Sequence, residues 1–240
     1  MSSNFQIDFT SLGLKKKYLY EILATTFSLD KNLMVPNTAS MGVRLVDKNT
    51  FKIWPYPNTT TYKNIENSKI IVLNFVDEVY LYALASLKGS DLSKSDKALS
   101  EEYYGYYTLN INSEQKNPIH IPYLKQAWAI IACKATNINQ FLKKDDFGEF
   151  MLMEINLTVI SYEKFRESFK LFNRAENLTL ETIVLATKLN IAIDKKDKAL
   201  FGKIEGKIEE YISDVKRFGY NESALKAIEH IEGYLKRLKT

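Results

Sequence analysis

The sequence predicts an α+β protein in which a small closed β-barrel precedes a helical region. Before Phe165 the apolar residues come in short runs rich in Ile, Val, Phe and Tyr, bounded by Asn, Asp and Pro, which is typical of strands. Several of these runs alternate poorly between apolar and polar residues, which favours strands buried on both faces, as in a small barrel. After Phe165 the apolar residues recur with the period of a helix.

Six apolar runs are predicted to be strands. They cover residues 21–27, 42–46, 50–55, 69–75, 126–136 and 147–160. Residues 77–87 predict a short helix, because Tyr80, Leu81, Leu84 and Leu87 would share one face. The polar, tyrosine-rich segment 88–117 is predicted to be a long loop.

The C-terminal part predicts three helices. Residues 175–191 are the first candidate, and residues 201–218 and 224–238 each carry an apolar stripe at helical spacing. Gly219 is expected to end the second helix and Asn221 to cap the third, which together make an αα-hairpin. The stripes could pack on each other, on the barrel or on a second subunit.

Composition excludes several classes of protein. The 240 residues carry a net charge of +4, and the 33 basic and 29 acidic residues are interleaved, so no nucleic-acid partner is predicted. We expect a cytoplasmic protein without a membrane partner, because no apolar run approaches a membrane-spanning length. Cys133 lies in an apolar run and is expected in the core. His120 and His230 lack clustered ligands, so no metal site is predicted.

The best candidate site is the threonine-rich segment 56–64, YPNTTTYKN. We expect a loop there, in which three hydroxyls, exposed amides and Lys63 could bind a phosphate. The alternative is an ordinary Pro-Asn turn followed by a threonine-rich strand end. No nucleophile–base pair or metal cage is evident, so a bound cofactor is expected to carry any chemistry.

Two further segments could contact a ligand. Glycine inside a strand often marks close approach of a ligand, so a flat ring could lie against Met41 and Gly42 with Arg44 beside an anion. The alternative at this position is a β-bulge with a surface arginine. In the second segment Asn173 is a plausible N-cap and Arg174 lies in the first helical turn, where the helix dipole disfavours a cation. Arg174 could hold an anion, or pair structurally with Glu176 or Glu181.

The ordered segments YEILATT, PNTASMGVRLV, WPYPNTTTYKNI, VLNFVDE, YLKQAWAIIACKA and FNRAENLTLETIVLATKL cover most of residues 18–190. In these segments the chain resembles an archaeal family of FMN-binding split-barrel proteins, catalogued as domain of unknown function 447. The resemblance implies a six-stranded, Greek-key split β-barrel at 15–165 and a C-terminal helical region at 170–240. It also implies a homodimer with FMN bound non-covalently in a cleft at or near the subunit interface.

The resemblance also implies which residues contact FMN. The phosphate end is expected at Thr59, Thr61 and Asn64, and the ring or ribityl chain at Gly42, Val43 and Arg44. Met41 and Thr60, their neighbours in the chain, are counted with these cofactor-binding candidates. Asn173 and Arg174 match a further segment of the family and are added to these cofactor-binding candidates. Thr60 stands where the family usually has arginine, and Ser40 where it usually has proline.

The function implied is that of a flavin-dependent oxidoreductase of unknown substrate, with Arg44 as a positive charge near the ring. No Rossmann fingerprint is present, so NADH or NADPH would bind transiently as the electron donor. The alternative is a non-catalytic module, which holds flavin or lacks it and recruits a partner through its helical hairpin.

Overall fold

The computed structural model describes residues 9–16, 19–31, 33–87, 99–109, 118–145, 148–168, 174–218 and 221–238. The chain divides into two compact units. The first, the barrel unit, comprises Met1–Val76 and Ser100–Glu167, and the second, the helical unit, comprises Asp77–Leu99 and Ser168–Thr240. No helix among the described residues is long and apolar enough to cross a membrane.

Six antiparallel strands close the barrel. They are β1 (Leu19–Asp30), β2 (Leu33–Asp47), β3 (Thr50–Ile53), β4 (Ile70–Phe75), β7 (Ala129–Asp145) and β8 (Gly148–Lys164). Their order around the barrel is β1-β2-β3-β8-β7-β4, and β4 pairs back onto β1. Each overlaps one of the six runs predicted from the sequence, with ends that differ by up to several residues, and the six-stranded barrel is confirmed.

The core of the barrel comes from every second residue of these strands, since successive side chains of a strand point to opposite faces. Ile22, Val43, Phe51 and Ile155 are among the fully buried residues of this core. Cys133 is buried with them, as predicted, and burial raises the pKa of its thiol well above the usual range.

A two-stranded sheet of β5 (Tyr104–Leu109) and β6 (Ile119–Leu124) also belongs to the barrel unit. The prediction of a loop over residues 88–117 is therefore wrong for 104–109, while residues 88–98 and 110–117 lie outside the described residues. The Tyr104 hydroxyl hydrogen-bonds Thr38 on β2 at 3.0 Å, and the Leu124 amide donates to Asn74 on β4 at 2.8 Å. The sheet thus covers outer-face residues of β2 and β4, which explains why the run of β4 is buried on both faces.

The threonine-rich segment leads into α1 (Thr60–Ser68), so the loop expected over 56–64 is wrong from Thr60 onward. The helix is short and amphipathic, with Thr61, Asn64 and Ile65 buried. The threonines favour this outcome because a Thr hydroxyl is a good N-cap, and Thr59 has that role here. Lys69 ends the helix in a left-handed conformation and leads into β4.

The helical unit contains α2 (Val79–Ser86), α3 (Arg174–Asp194), α4 (Lys198–Phe218) and α5 (Glu222–Leu238). All four helices were expected at these places. The Oδ1 atom of Asn221 accepts a 2.9 Å hydrogen bond from the Ala224 amide, which confirms the predicted N-cap of α5. The partners of the two apolar stripes are now defined: α4 packs chiefly on α3, and α5 packs on α2 and α3.

Candidate functional site

The N-terminus of α1 is the first part of the candidate site. The Thr59 side chain accepts a 3.3 Å hydrogen bond from the Tyr62 amide, and the Thr59 carbonyl accepts the Lys63 amide at 3.1 Å. The side chains of Thr60 and Lys63 are exposed at this end of the helix. The first amides of a helix lack intrahelical acceptors and the helix dipole is positive there, so this end favours an anion.

Thr61 and Asn64 belong to the opposite face of α1, which packs on the barrel. Asn37 on β2 donates to the Thr61 hydroxyl at 3.2 Å, and Asn64 donates to the Thr26 hydroxyl on β1 at 3.2 Å. Thr61 and Asn64 are only 3% and 4% exposed. Their side chains therefore fix the position of α1 on the barrel, a role that sequence reasoning did not identify.

The strand segment Met41–Arg44 divides between the two faces of β2. Met41 and Val43 are buried in the barrel core, so only their backbone atoms can meet a ligand outside the barrel. Gly42 and Arg44 lie on the outer face, and Arg44 is exposed. A Cβ atom at Gly42 would lie 3.3 Å from the Cδ1 atom of Leu19, so glycine leaves a shallow opening beside Leu19.

Arg44 is part of a chain of side-chain contacts on this outer face. Its guanidinium carbon lies 5.4 Å from the centroid of the Trp54 ring. The Trp54 Nε1 atom donates to Glu154 at 3.2 Å, and Lys52 donates to the same carboxylate at 2.9 Å. These hydrogen bonds, that from Lys52 first, lower the pKa of Glu154. Sequence reasoning missed Trp54 and Glu154, although the alternation of β3 could have placed Lys52 and Trp54 on one face.

A carboxylate also lies beside Gly42. Glu21 is directly opposite Gly42 in the register of β1 and β2, and it accepts a short hydrogen bond from the hydroxyl of Ser40. Ser40, Gly42 and Arg44 are alternate residues of one strand and so share the outer face. This face therefore presents a carboxylate held by a hydroxyl, an open glycine and a guanidinium in succession.

Of the two candidates at the start of α3, Asn173 and Arg174, the structure describes only Arg174. Asn173 lies outside the described residues. Arg174 begins α3, and its guanidinium carbon lies 4.2 Å from the ring centroid of Phe218 within the helical unit. Glu176, one of its expected partners, instead accepts a 3.2 Å hydrogen bond from Asn221. The described contact of Arg174 is thus a cation–π interaction, which stabilises the packing of α3 on α4.

The closed six-stranded antiparallel barrel, with a helix packed against β1 and β2 and a helical region following in the chain, defines a split-barrel protein. Residues 20–164 match the model of a family described as a protein of unknown function, DUF447, N-terminal domain. The chain belongs to this family, as its resemblance implied. No curated protein sequence matches the chain.

One solved structure supports the same fold. The chain is similar to an FMN-bound DUF447 protein from Methanosarcina mazei, with a TM-score of 0.68 and 20% identity over 95% of this chain and 100% of that chain. Lower scores link it to a flavin reductase complexed with NADP+ (TM-score 0.41, 17% identity, 67% of this chain and 87% of that one). An FMN-binding protein from Thermus thermophilus is also similar (TM-score 0.40, 12% identity, 62% and 72%).

Proposed function

We propose that the protein binds FMN non-covalently and acts as a flavin-dependent oxidoreductase. The observation that carries this proposal is the exposed N-terminus of α1, which is fixed to β1 and β2 by buried hydrogen bonds. The FMN-bound protein from Methanosarcina mazei, which shares the fold over nearly the whole chain, supports it. The proposed domains are the barrel at 15–165 and the helical region at 170–240.

The donor set at α1 fits the phosphate of FMN. The free amides of the first helical turn, the exposed Thr60 hydroxyl and the exposed Lys63 ammonium are all donors, and the last of these also supplies positive charge. Thr59 would hold the first turn in place through its cap, while Thr61 and Asn64 would act through the barrel contacts of α1. A phosphate therefore meets donors without displacing any described hydrogen bond.

The outer face of β2 fits a flat ring. Gly42 leaves room for close approach, and the backbone of Met41 and Val43 offers hydrogen-bonding groups on either side of it. When bound, FMN supplies hydride or electron transfer at its ring. The chain would orient that ring against β2, and Arg44 would place a positive charge at its edge.

We also propose that the protein works as a cytoplasmic homodimer. Leu29, Leu33 and Val35, at the end of the β1–β2 hairpin, are 69%, 72% and 44% exposed. Leu33 and Val35 share one face of the hairpin and Leu29 lies on the other, and exposed apolar residues of this kind often mark an interface with another protein chain. A second subunit could also provide the wall that a six-stranded barrel is too small to form around a ring.

The first test is a visible absorption spectrum of the purified, desalted protein, with the released chromophore identified by mass. We expect a flavin spectrum, the mass of FMN and about one FMN per chain. A colourless protein that does not take up added FMN would refute the proposal.

The phosphate assignment has its own test. Lys63→Gln is expected to weaken FMN binding by at least about tenfold, because a charge-assisted hydrogen bond contributes roughly 1.5–3 kcal/mol. Lys134→Gln, a matched change at an exposed position of β7, should leave FMN binding unchanged. Equal affinities for the two variants would place the phosphate elsewhere.

The oxidoreductase part of the proposal is tested by reduction of the bound flavin. Anaerobic addition of NADH or NADPH should bleach the visible spectrum if either nucleotide is the donor. Bound FMN that neither nucleotide reduces would favour the alternative of a non-catalytic flavin-binding module.

A further inference from the structure

The guanidinium of Arg44 is held in place before any ligand arrives. It lies over the Trp54 ring, and the two hydrogen bonds on Glu154 fix the indole and the Lys52 ammonium that flanks it. A guanidinium stacked on an aromatic face keeps its N–H groups pointing outward in a planar fork, which matches the two oxygens of a carboxylate or phosphate. The rotational entropy that a free arginine would lose on binding such an anion is already reduced.

The charges on this face leave Arg44 as the available cation. Arg44 and Lys52 are directly opposite in the register of β2 and β3, an arrangement in which like charges repel. Glu154 removes that repulsion by pairing with Lys52, in an ion pair whose side chains are 24% and 27% exposed. Among the described residues, no carboxylate forms an ion pair with Arg44. Glu21 is diagonal to Arg44 across β1 and β2 and accepts from Ser40.

Arg44 lies close to the proposed ring site at Gly42 and away from the proposed phosphate site at α1. Arg44 is two residues from Gly42 on the same outer face. The N-terminus of α1 contacts β2 through Asn37, seven residues earlier on the strand and on the inner face. An arginine on the far side of Gly42 from α1 is therefore placed for a second ligand rather than for the phosphate of the cofactor.

We propose that Arg44 and Trp54 form an anion-binding subsite for the substrate, and that the substrate is a small molecule carrying a carboxylate or phosphate group. The guanidinium binds the anionic group, Trp54 orients the guanidinium, and Glu154 and Lys52 position Trp54. This inference rests on the proposed function, because the subsite recognises a substrate of the flavin.

The test measures binding rather than turnover. Protein whose FMN content has been established is titrated by calorimetry with benzoate, phenyl phosphate and benzamide, which share a ring and differ in charge. Benzoate or phenyl phosphate should bind, and benzamide should bind at least tenfold more weakly or not at all. The relative affinity of the two anions shows whether the subsite takes a carboxylate or a phosphate.

Variants locate the binding. Arg44→Gln should weaken binding of the anion by at least tenfold, and Arg44→Lys should restore part of that affinity. Trp54→Leu should weaken binding of the anion while leaving binding of benzamide unaffected. Lys48→Gln, which removes an exposed charge near the end of β2, is the matched control and should change nothing.

The outcomes separate the two proposals. Wild-type protein without FMN refutes the proposed function, whatever the anions do. FMN-loaded protein that binds benzamide as well as the anions, or an Arg44→Gln variant with unchanged anion affinity, overturns the subsite. A loss of FMN affinity in Arg44→Gln equal to the loss of anion affinity also overturns it, because the anion would then be lost with the cofactor and not through a contact with Arg44.

Discussion

Asn64 on α1 donates a 3.2 Å hydrogen bond from its Nδ2 atom to the hydroxyl of Thr26 on β1, and both side chains are buried. Three residues earlier on the same helix face, Thr61 accepts from Asn37 on β2. Two adjacent strands thus hold one short helix through buried polar contacts. Because such contacts are directional, they fix the orientation of the helix as well as its position.

Removing the Asn64 amide should destabilise the barrel unit. Asn64→Ala leaves the buried Thr26 hydroxyl without this donor, which costs about 1–3 kcal/mol in the free energy of unfolding. Lys63→Ala, the exposed neighbour on the same helix, should cost less than about 0.5 kcal/mol. Urea unfolding of the flavin-free protein, followed by tryptophan fluorescence, measures both, since Trp54 and Trp128 lie in the barrel unit. Equal stabilities would mean that the Asn64 contact does not stabilise the fold.

Substitutions at Thr59 should separate stability of α1 from binding of an anion. Thr59→Ala removes the N-cap and should cost about 1 kcal/mol of stability. Thr59→Asp keeps a capping oxygen but adds a negative charge, so the apo-protein should stay stable while FMN affinity falls. Urea unfolding and a fluorescence titration with FMN measure the two effects. Thr59→Ser is the control that preserves both, and an aspartate variant with undiminished FMN affinity would contradict the phosphate site.

The fold was largely predictable because its signals are local. Strand-length apolar runs and amphipathic stripes directly indicate strands and helices, and Asn221, placed before such a stripe, indicates the N-cap of α5. Strand β5 was missed because only its end residues, Tyr104 and Leu109, are buried and its tyrosines are polar at the tip, so the run YGYYTL resembles a loop. Its stability comes from contacts distant in sequence, such as that of Tyr104 with Thr38.

The site was predictable only in part, because only some of its signals are local. The segments around Gly42 and Thr59 carry local signals, a glycine within a strand and a run of hydroxyls. Which of those side chains face outward depends on pairing: Met41 and Val43 face the core, and Thr61 faces the barrel. Local sequence does not reveal that Trp54 lies under Arg44, because Arg44 is on β2 and Trp54 directly follows β3.

Asn74 should be among the most sensitive positions of the barrel unit. Its Nδ2 atom donates to the Leu23 carbonyl at 2.8 Å and to the Thr25 hydroxyl at 2.9 Å, while its Oδ1 atom accepts from the Leu124 amide. Asn74→Leu would remove these hydrogen bonds from the buried Leu23 carbonyl and Leu124 amide, at about 1–3 kcal/mol for each group, while the Thr25 hydroxyl would keep its hydrogen bond with Thr38.

The Asn74→Leu variant is tested by hydrogen exchange at one amide and by urea unfolding of the whole protein. Hydrogen exchange at the Leu124 amide should accelerate in Asn74→Leu, because β6 loses its polar contact with β4. Asn139→Ala, at an exposed position of β7, is the matched control and should alter neither that exchange rate nor the urea midpoint. Unchanged protection of Leu124 in the Asn74 variant would show that the sheet of β5 and β6 is held by its other contacts.

His230 should make the helical unit sensitive to mild acid. Its Nε2–H donates to the Leu87 carbonyl at 3.2 Å, and its ring meets Tyr80 edge-on at 6.4 Å between centroids. Burial, the largest cause, lowers the pKa of His230 from its ordinary 6.5, and the positive charge of Arg237 acts in the same direction, against the hydrogen bond to Leu87. The neutral ring is therefore favoured in the folded state.

The sign of the effect follows from the lowered pKa. Above pH 6.5 the imidazole is neutral whether the unit is folded or unfolded, and the stability from burying it is fully present. As the pH falls below 6.5, protonation in the unfolded state removes that stability progressively, down to the folded-state pKa. His230→Gln can still donate to Leu87 but should lack this pH-dependent part of the stability. The unfolding midpoints of the two proteins are measured by far-UV circular dichroism. Between pH 7.5 and 5 their difference should shift in favour of the variant. Carboxylates common to both proteins cancel in this difference, and a difference that stays constant with pH would contradict the prediction.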